Sequence, residues 1–493
     1  MLKKYQHYIN GQFVDPNSKE WFKSTNPYTG EDWAEIARGN ASDVDKAVKA
    51  ASVAFESSDW RSMTASKRGR LLVKLADLIE ENAERLAVFE VRDNGKLMAE
   101  MHSQLKYIPE WFRYYGGLAD KIEGAVIPTD KTNVFNYTKH EPLGVVAAIT
   151  AWNSPLLLLT WKLAPLLAAG NTTVIKPSEY TSASTLEFVK LVKEAGFPDG
   201  VVNVVTGFGM DTGAPLVEHP LVNKVAFTGS DASGQHIYQS AAKGIKSVTL
   251  ELGGKSPNIV FDDANIESAV MGAVSGIFAA TGQTCIAGSR LLLQENIVVP
   301  FMQRLIEVTS SAKVGDPMSA DTNIGPVTTE AQYNKILEYI KIAKAEGATC
   351  VFGGNAIENV GGKKGNFVEP TIFTNVNNKM RIAQEEVFGP ILSVITFKDE
   401  QEAIAIANDS NYGLAAGVWT QDMARTMRMV DALKAGTVWV NTYRALSYTS
   451  PFGGYKRSGI GRESGIEAMS DYLQTKSVWL STSSDNSNPF VMR

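Results

Sequence analysis

Residues 143–176 read LGVVAAITAWNSPLLLLTWKLAPLLAAGNTTVIK. The apolar run at 145–149 is strand-sized, the stretch at 156–169 is helix-sized, and another strand-sized run follows at 172–176. Strand, crossover helix and strand in that order predict a βαβ unit with parallel strands. The alternation continues with helical patterns at 182–195, 211–217 and 232–242, and strands at 201–205, 225–228 and 247–250. A second series follows Gly254, with strands at 257–261 and 289–293 and helices at 267–280, 299–308 and 328–346. The fold class read from this is α/β, two tandem parallel-sheet domains. A chain of 493 residues has room for two or three domains of roughly 100–200 residues each.

Outward from this centre the pattern changes. Residues 41–55 and 64–98 carry Ala, Leu, Lys and Glu at helical spacing, so the N-terminal part is expected to begin with helices. Asp43 and Thr64 suit N-caps, and Gly95 suits a helix stop. Residues 126–140 and 476–480 are rich in β-branched and aromatic side chains and fit neither α/β series. Two such strand arms can pair with each other or with another subunit, or the first can close on itself as an internal hairpin. The polar tail at 481–488 is expected to fray.

Composition excludes several classes of function. Hydrophobic residues at 44% and charged residues at 20% are ordinary globular proportions, which excludes a disordered or fibrous chain. Lys plus Arg at 48 against Asp plus Glu at 53 leaves −5, so no nucleic acid or anionic membrane partner is expected. The apolar zone at 144–170 is broken by Asn153, Ser154, Pro155, Lys162 and Pro165, whereas a membrane span needs about 20 mostly apolar residues. It is core. The opening MLKKYQH has no apolar h-region, so no signal peptide is expected. Two cysteines, Cys285 and Cys350, cannot build a disulfide framework and point to the reducing cytoplasm. His7, His102, His140, His219 and His236 have no metal-ligand spacing, and no metal is expected.

Three loops at strand ends fit phosphate or ribose binding, each with an ordinary competitor. Gly207, Gly209 and Gly213 resemble a dinucleotide fingerprint but have Thr212 where its third glycine falls, and a glycine turn explains them as well. Gly229 and Ser230, between a strand and a helix, offer free amides to a phosphate, while Ser230 also suits a helix cap. Lys176 and Glu179 could bond ribose hydroxyls or simply pair with each other on an exposed surface. Three such edges in one sheet favour a nucleotide.

The chemistry concentrates elsewhere. Cys285 lies in the glycine-bounded segment GQTCIAGSR (282–290), not on an apolar periodic face, although a lone cysteine is usually an inert core residue. Glu251 ends a strand and is followed by Leu252, Gly253 and Gly254. Asn153 interrupts an apolar run, where a buried amide needs partners.

Together with EEVFGP (385–390), NYGL (411–414) and PFGGYK (451–456), these segments resemble the aldehyde dehydrogenase superfamily in its NAD(P)-dependent, non-acylating, hydrolytic branch. The resemblance runs from about Tyr8 to Leu480, with seven motifs in the family's order. It implies a Rossmann-like cofactor domain over 1–123 and 143–254, a catalytic domain over 255–456, and oligomerisation arms at 124–142 and 470–486. A homo-oligomer is implied, a dimer or a dimer of dimers. It also implies that Cys285 is the nucleophile, Asn153 and the Cys285 amide hold the oxyanion, and Glu251 activates the hydrolytic water. Acylating relatives generally lack that glutamate, so a free acid product is expected.

For the cofactor the resemblance assigns Lys176 and Glu179 to the adenosine ribose, Gly209 to the adenine side, and Gly229 and Ser230 to the pyrophosphate. Glu386 and Phe388 go to the nicotinamide end, with Thr150, Trp152 and Leu252 in the same cleft. NAD is the expected cofactor, with NADP possible, because Glu179 would repel a 2′-phosphate. The implied pocket for a small-molecule aldehyde comprises Ser154, Leu157, Trp161, Thr284, Ile286, Arg444, Leu446 and Phe452. This chain departs from familiar relatives there: Ser154 stands where aromatic residues are common, and Arg444 lies in the tunnel-lining segment. Gln474 likewise replaces an acidic residue seen at a subunit contact in some relatives. The competing enzyme reading is an NADP-preferring semialdehyde dehydrogenase with Arg444 on a substrate carboxylate. A catalytically silent structural relative is the competing class.

Overall fold

The strand-sized runs at 145–149 and 172–176 are buried at every position, as strands sandwiched between helix layers must be. In a computed structural model of the chain, which describes residues 2–484 and 490, they are β1 (Val145–Ile149) and β2 (Thr172–Lys176) of one sheet. It continues with β3 (Val202–Val204), β4 (Val222–Thr228) and β5 (Ser247–Glu251), all parallel. The strand order is Gly459–Ile460, β5, β4, β1, β2, β3, His7–Ile9, Gln12–Val14. From β1 the chain adds β2 and β3 on one side, then crosses to add β4 and β5 on the other. The order therefore reverses between β1 and β4, and ligands bind outside the carboxyl ends of strands at such a switch point.

The second sheet is built from β6 (Pro257–Val260), β7 (Arg290–Gln294), β8 (Thr349–Phe352), β9 (Thr371–Thr374), β10 (Ile391–Phe397), β11 (Ala415–Trp419) and β12 (Thr437–Val440). Its order is β8-β9-β10-β7-β6-β11-β12, parallel except for β8 at the edge. Two parallel sheets in tandem agree with the fold class read from the alternation.

Three local expectations need correction. The N-terminal part begins with strands: five short ones lie between Lys3 and Ala37, ahead of the first helix, Ala41–Glu56. They are three to six residues long and carry too few apolar positions to show a period. Asp43 is not the N-cap of that helix; Asn40 is, and Asp43 returns a bond to the Asn40 amide as the third residue of a capping box. The 64–98 stretch is two helices, Ala65–Glu81 and Ala83–Asn94, with Thr64 capping the first and Gly95 ending the second at φ 75°.

The arms form a sheet of their own. Val134–Pro142 pairs antiparallel with Leu473–Ser481 along nine residues, and Val126–Ile127 pairs on its other side. The two arms thus pair with each other, and the first also folds back as a hairpin. Residues 485 and 486 of the second arm, and 485–488 of the polar tail, lie outside the described residues. Among the described residues no helix is long and apolar enough to cross a membrane.

Candidate active site

Register puts the chemistry at one edge. Ile149 pairs with Lys176 and with Phe227, and Thr228 pairs with Glu251, so β1, β2, β4 and β5 end together. Beyond those ends lies a cavity of about 740 Å³. Its walls include Thr150, Trp152, Asn153, Trp161, Lys176, Glu179, Gly209, Gly229, Ser230, Glu251, Leu252, Cys285, Glu386, Phe388 and Phe452. Segments far apart in sequence converge there.

The reacting end is a meeting of three elements. Asn153 precedes the helix Pro155–Ala169, with Pro155 in its first turn. Its Nδ2 donates to the Gln283 carbonyl at 3.1 Å, tying the side-chain amide to the loop that carries Cys285. That loop is unusual in its backbone: Ala280 and Thr281 have φ 53° and 55°, and Gly282 has φ 69°. A Cβ on Gly282 would stand 2.1 Å from the Gly389 carbonyl oxygen, so only glycine fits. Thr281 Oγ1 donates to the Gly325 carbonyl, and Gln283 Oε1 accepts from Thr328 N at 2.9 Å, which hold the strained turn in place.

Glu251 ends β5 at 4% exposure, and neither of its carboxylate oxygens has a hydrogen-bond partner among the described residues. Burial pushes its pKa well above the usual carboxylate range, and the neighbouring Glu463 adds to this. The Cys285 thiol, half-buried and free, is pushed up to about 12 by burial, with Glu251 and Glu386 adding and Lys96 opposing. Three side chains behind Glu251 had entered the sequence reading as a break in an apolar run or not at all. Lys162 Nζ donates to Thr228 Oγ1 at 2.6 Å and to Glu463 Oε1, all three buried. A lysine on a helix face otherwise apolar was the one available signal, since a buried ammonium needs partners.

The cofactor-sized remainder is lined as follows. Glu386 accepts from the Gly254 amide at 2.9 Å, and burial raises it to about 7. A Cβ on Gly253 would sit 2.2 Å from Glu386 Oε2, which explains the paired glycines after Glu251. Phe388 has φ 60° and meets Trp152 edge to face, ring centroids 5.2 Å apart. Gln332 and Lys335, absent from the sequence reading, brace that turn by donating to the Val387, Phe388 and Glu386 carbonyls. Lys176 is buried, not exposed; its Nζ reaches Glu179 Oε2 at 3.4 Å, and burial lowers its pKa. Ser230 caps the helix Asp231–Lys243 by accepting from Ser233 N, and still lines the cavity, so the two readings of it are compatible.

Of the residues expected in the substrate pocket, Trp161 and Phe452 line this cavity. Ser154, Leu157, Thr284, Ile286, Arg444 and Leu446 do not line the cavity. Ser154 turns away to accept a bond from Lys96. Arg444, at φ 65°, donates to the Ser275 carbonyl at 3.1 Å. Leu158, on the cavity wall, replaces Leu157 because one residue along a helix turns the side chain by about 100°.

Comparison with known proteins extends over this whole arrangement. The model of the aldehyde dehydrogenase family matches residues 13–478. A (Z)-2-((N-methylformamido)methylene)-5-hydroxybutyrolactone dehydrogenase of Acinetobacter baylyi is 48% identical over 495 residues, all of both chains. Human retinal dehydrogenase 2 is 45% identical, over 99% of this chain and 93% of its own. Among solved structures, betaine aldehyde dehydrogenase of Staphylococcus aureus in complex with NAD+ superposes with TM-score 0.97 at 42% identity, covering 99% and 97% of the two chains. An NAD+ complex of an aldehyde dehydrogenase from Bacillus cereus gives 0.95 at 45% identity, covering 98% and 97%.

Proposed function

Because the chain belongs to the aldehyde dehydrogenase family and is an oxidoreductase acting on the aldehyde group, we propose that it oxidises an aldehyde to the free acid with NAD. The observation that carries this reading is the meeting of Asn153 Nδ2 with the Cys285 loop, beside an unpaired buried Glu251 in one cavity. The Cys285 thiolate adds to the aldehyde carbon, and the carbonyl oxygen becomes an oxyanion held by Asn153 Nδ2 and the Cys285 amide. Bound in this cleft, NAD would supply the acceptor for the hydride on this carbon. A thioester remains on Cys285. Glu251 takes a proton from water, whose oxygen attacks the thioester carbon and releases the acid and the thiolate.

The cavity fits NAD along its length. Glu386 and Phe388 would hold the nicotinamide end, with Thr150, Trp152 and Leu252 as walls. Gly229 and Ser230 would hold the pyrophosphate at a helix start, with Gly209, Lys176 and Glu179 at the adenosine end. A panel of charged and uncharged aldehydes, assayed for reduced cofactor with NAD and with NADP, tests the reading. Absence of turnover with every aldehyde sinks it. The semialdehyde alternative would need Arg444, whose Nη1 donates to the Ser275 carbonyl, to bind the substrate carboxylate with its other donors.

Cofactor choice rests on Glu179. Two unit charges about 4 Å apart repel by roughly 1 kcal/mol in water and about 4 at an effective dielectric of 20. Lys176, 3.4 Å from Glu179, offsets part of this. NAD is expected to be preferred at least about tenfold in kcat/KM, and Glu179→Ser should narrow the gap. Equal wild-type values for the two cofactors, at one ionic strength, would show that this carboxylate does not discriminate.

The same reading divides the chain into a cofactor domain (1–123 and 143–254), a catalytic domain (255–456) and arms (124–142 and 470–486). The arm sheet leaves Trp479 58% exposed, with Val126, Ile127, Phe135 and Leu480 also exposed. With apolar side chains exposed on both of its faces, this sheet gains from a partner. Light scattering is expected to find a dimer or a dimer of dimers. A monomer at micromolar concentration rules the assembly out.

A further inference from the structure

Residues 90–100 run beneath the reacting end of the cavity and grip both of its walls. On one side Glu90 Oε1 accepts from Leu156 N at 2.8 Å, and Lys96 Nζ donates to Ser154 Oγ at 2.7 Å. Both bonds fall within three residues of Asn153. On the other side Glu100 Oε1 accepts from Ala280 N at 3.0 Å, in the strained turn ahead of Cys285. The Asn94 carbonyl accepts from Thr328 Oγ1 at 2.6 Å, and Thr328 N in turn donates to Gln283 Oε1. One segment thus links the Asn153 wall to the nucleophile wall.

Lys96 is the member that plain packing does not explain. Lys96 is 5% exposed, and taking an ammonium out of water costs several kcal/mol unless it is paired. Its hydrogen-bond partner in the structure is a neutral hydroxyl. The titratable groups that act on it are Glu100, Glu90, Arg444 and Cys285. Neither Lys96 nor Ser154 is on the cavity wall as it stands. Their route to the chemistry is Ser154's neighbour, Asn153, whose amide already contacts the Cys285 loop.

Resting on the reading of Cys285 as nucleophile and Asn153 as oxyanion donor, we infer that Lys96 is a positioning residue. Through Ser154 it locks Asn153 against the nucleophile loop, and its positive charge stands behind the oxyanion and the thiolate. A purely structural lysine would stabilise the fold without favouring one charge state of the reacting atoms. The burial-lowered pKa of Lys96, at about 8, fits a buried ammonium that the carboxylates only partly compensate.

Ser154→Ala removes one oxygen and is the gentlest probe. It is expected to slow the pre-steady-state burst of reduced cofactor about tenfold, as misplacing an oxyanion donor does, with NAD affinity unchanged. Lys96→Met should slow the burst about a hundredfold. The double variant should be no slower than Lys96→Met alone, because the hydroxyl acts only through the ammonium. A second readout needs no cofactor. Alkylation of Cys285 by iodoacetamide should slow about tenfold in Lys96→Met, where the charge is gone, and stay within about threefold of wild type in Ser154→Ala.

A Ser154→Ala burst within about twofold of wild type, or losses that multiply in the double variant, overturns the inference. So does wild-type alkylation in a folded Lys96→Met. Should Lys96→Met not fold, the Ser154→Ala burst decides alone. The underlying reading fails separately, if wild type forms no reduced cofactor with any aldehyde or Cys285→Ala still forms it.

Discussion

Replacing Cys285 by alanine is expected to abolish aldehyde oxidation and leave NAD affinity near that of the wild type. Alanine keeps the backbone amide that would face the oxyanion and removes only the sulfur. What disappears is the covalent step itself, and no other thiol is near: Cys350 lies on β8, at the far edge of the second sheet. Loss of at least a hundredfold in turnover, about 2.7 kcal/mol of barrier, is the minimum consistent with a nucleophile. Steady-state turnover and cofactor binding by fluorescence measure the two halves of the claim. Turnover above about one per cent of wild type removes Cys285 from that role.

Glu251→Gln is the second large effect, and its form is diagnostic. The amide cannot take a proton from water, so the first turnover should proceed and the thioester should then persist. Rapid mixing should show a burst of reduced cofactor close to the enzyme concentration, followed by turnover slowed at least about a hundredfold. The pH dependence has a definite sign. Burial holds the Glu251 carboxyl protonated above the usual carboxylate range, and a protonated carboxyl is no base. Wild-type turnover should therefore climb as pH rises through that raised value, and the climb should vanish in the glutamine variant. If the burst itself disappears, Glu251 is needed earlier. A thiol pushed up to about 12 makes that outcome physically reasonable, because some group must then take its proton.

The two sheets were legible because fully buried parallel strands are short unbroken apolar runs, which alternate visibly with longer helical stretches. The N-terminal strands were not, since Lys3–Tyr5 and Gln12–Val14 expose most of their residues and owe their place to neighbours far along the chain. Asp43 was misread by three positions because the cap, Asn40, and the returning carboxylate are both good capping types. In the site, Glu251 and Asn153 stood out as polar residues at a strand end and within an apolar run, and Cys285 by its glycine-bounded segment. Ser154 and Arg444 did not show which way they point, because direction depends on partners such as Lys96 and the Ser275 carbonyl. Gln332 and Lys335 lie on an unremarkable amphipathic helix, Glu330–Ala345, and only tertiary contact gives them a part.

The short strand Gly459–Ile460 closes the edge of the first sheet by pairing with Leu250 and Glu251 of β5. Those partners lie roughly two hundred residues apart along the chain, and bringing together so long a loop costs entropy before any contact repays it. A nascent chain that has emerged only as far as the second sheet therefore carries β5 with a bare edge, the kind that recruits strands from other molecules. Glu251, the proposed base, is set at that same edge. A segment made some two hundred residues after β5 thus both covers a border open to other strands and completes the surroundings of Glu251.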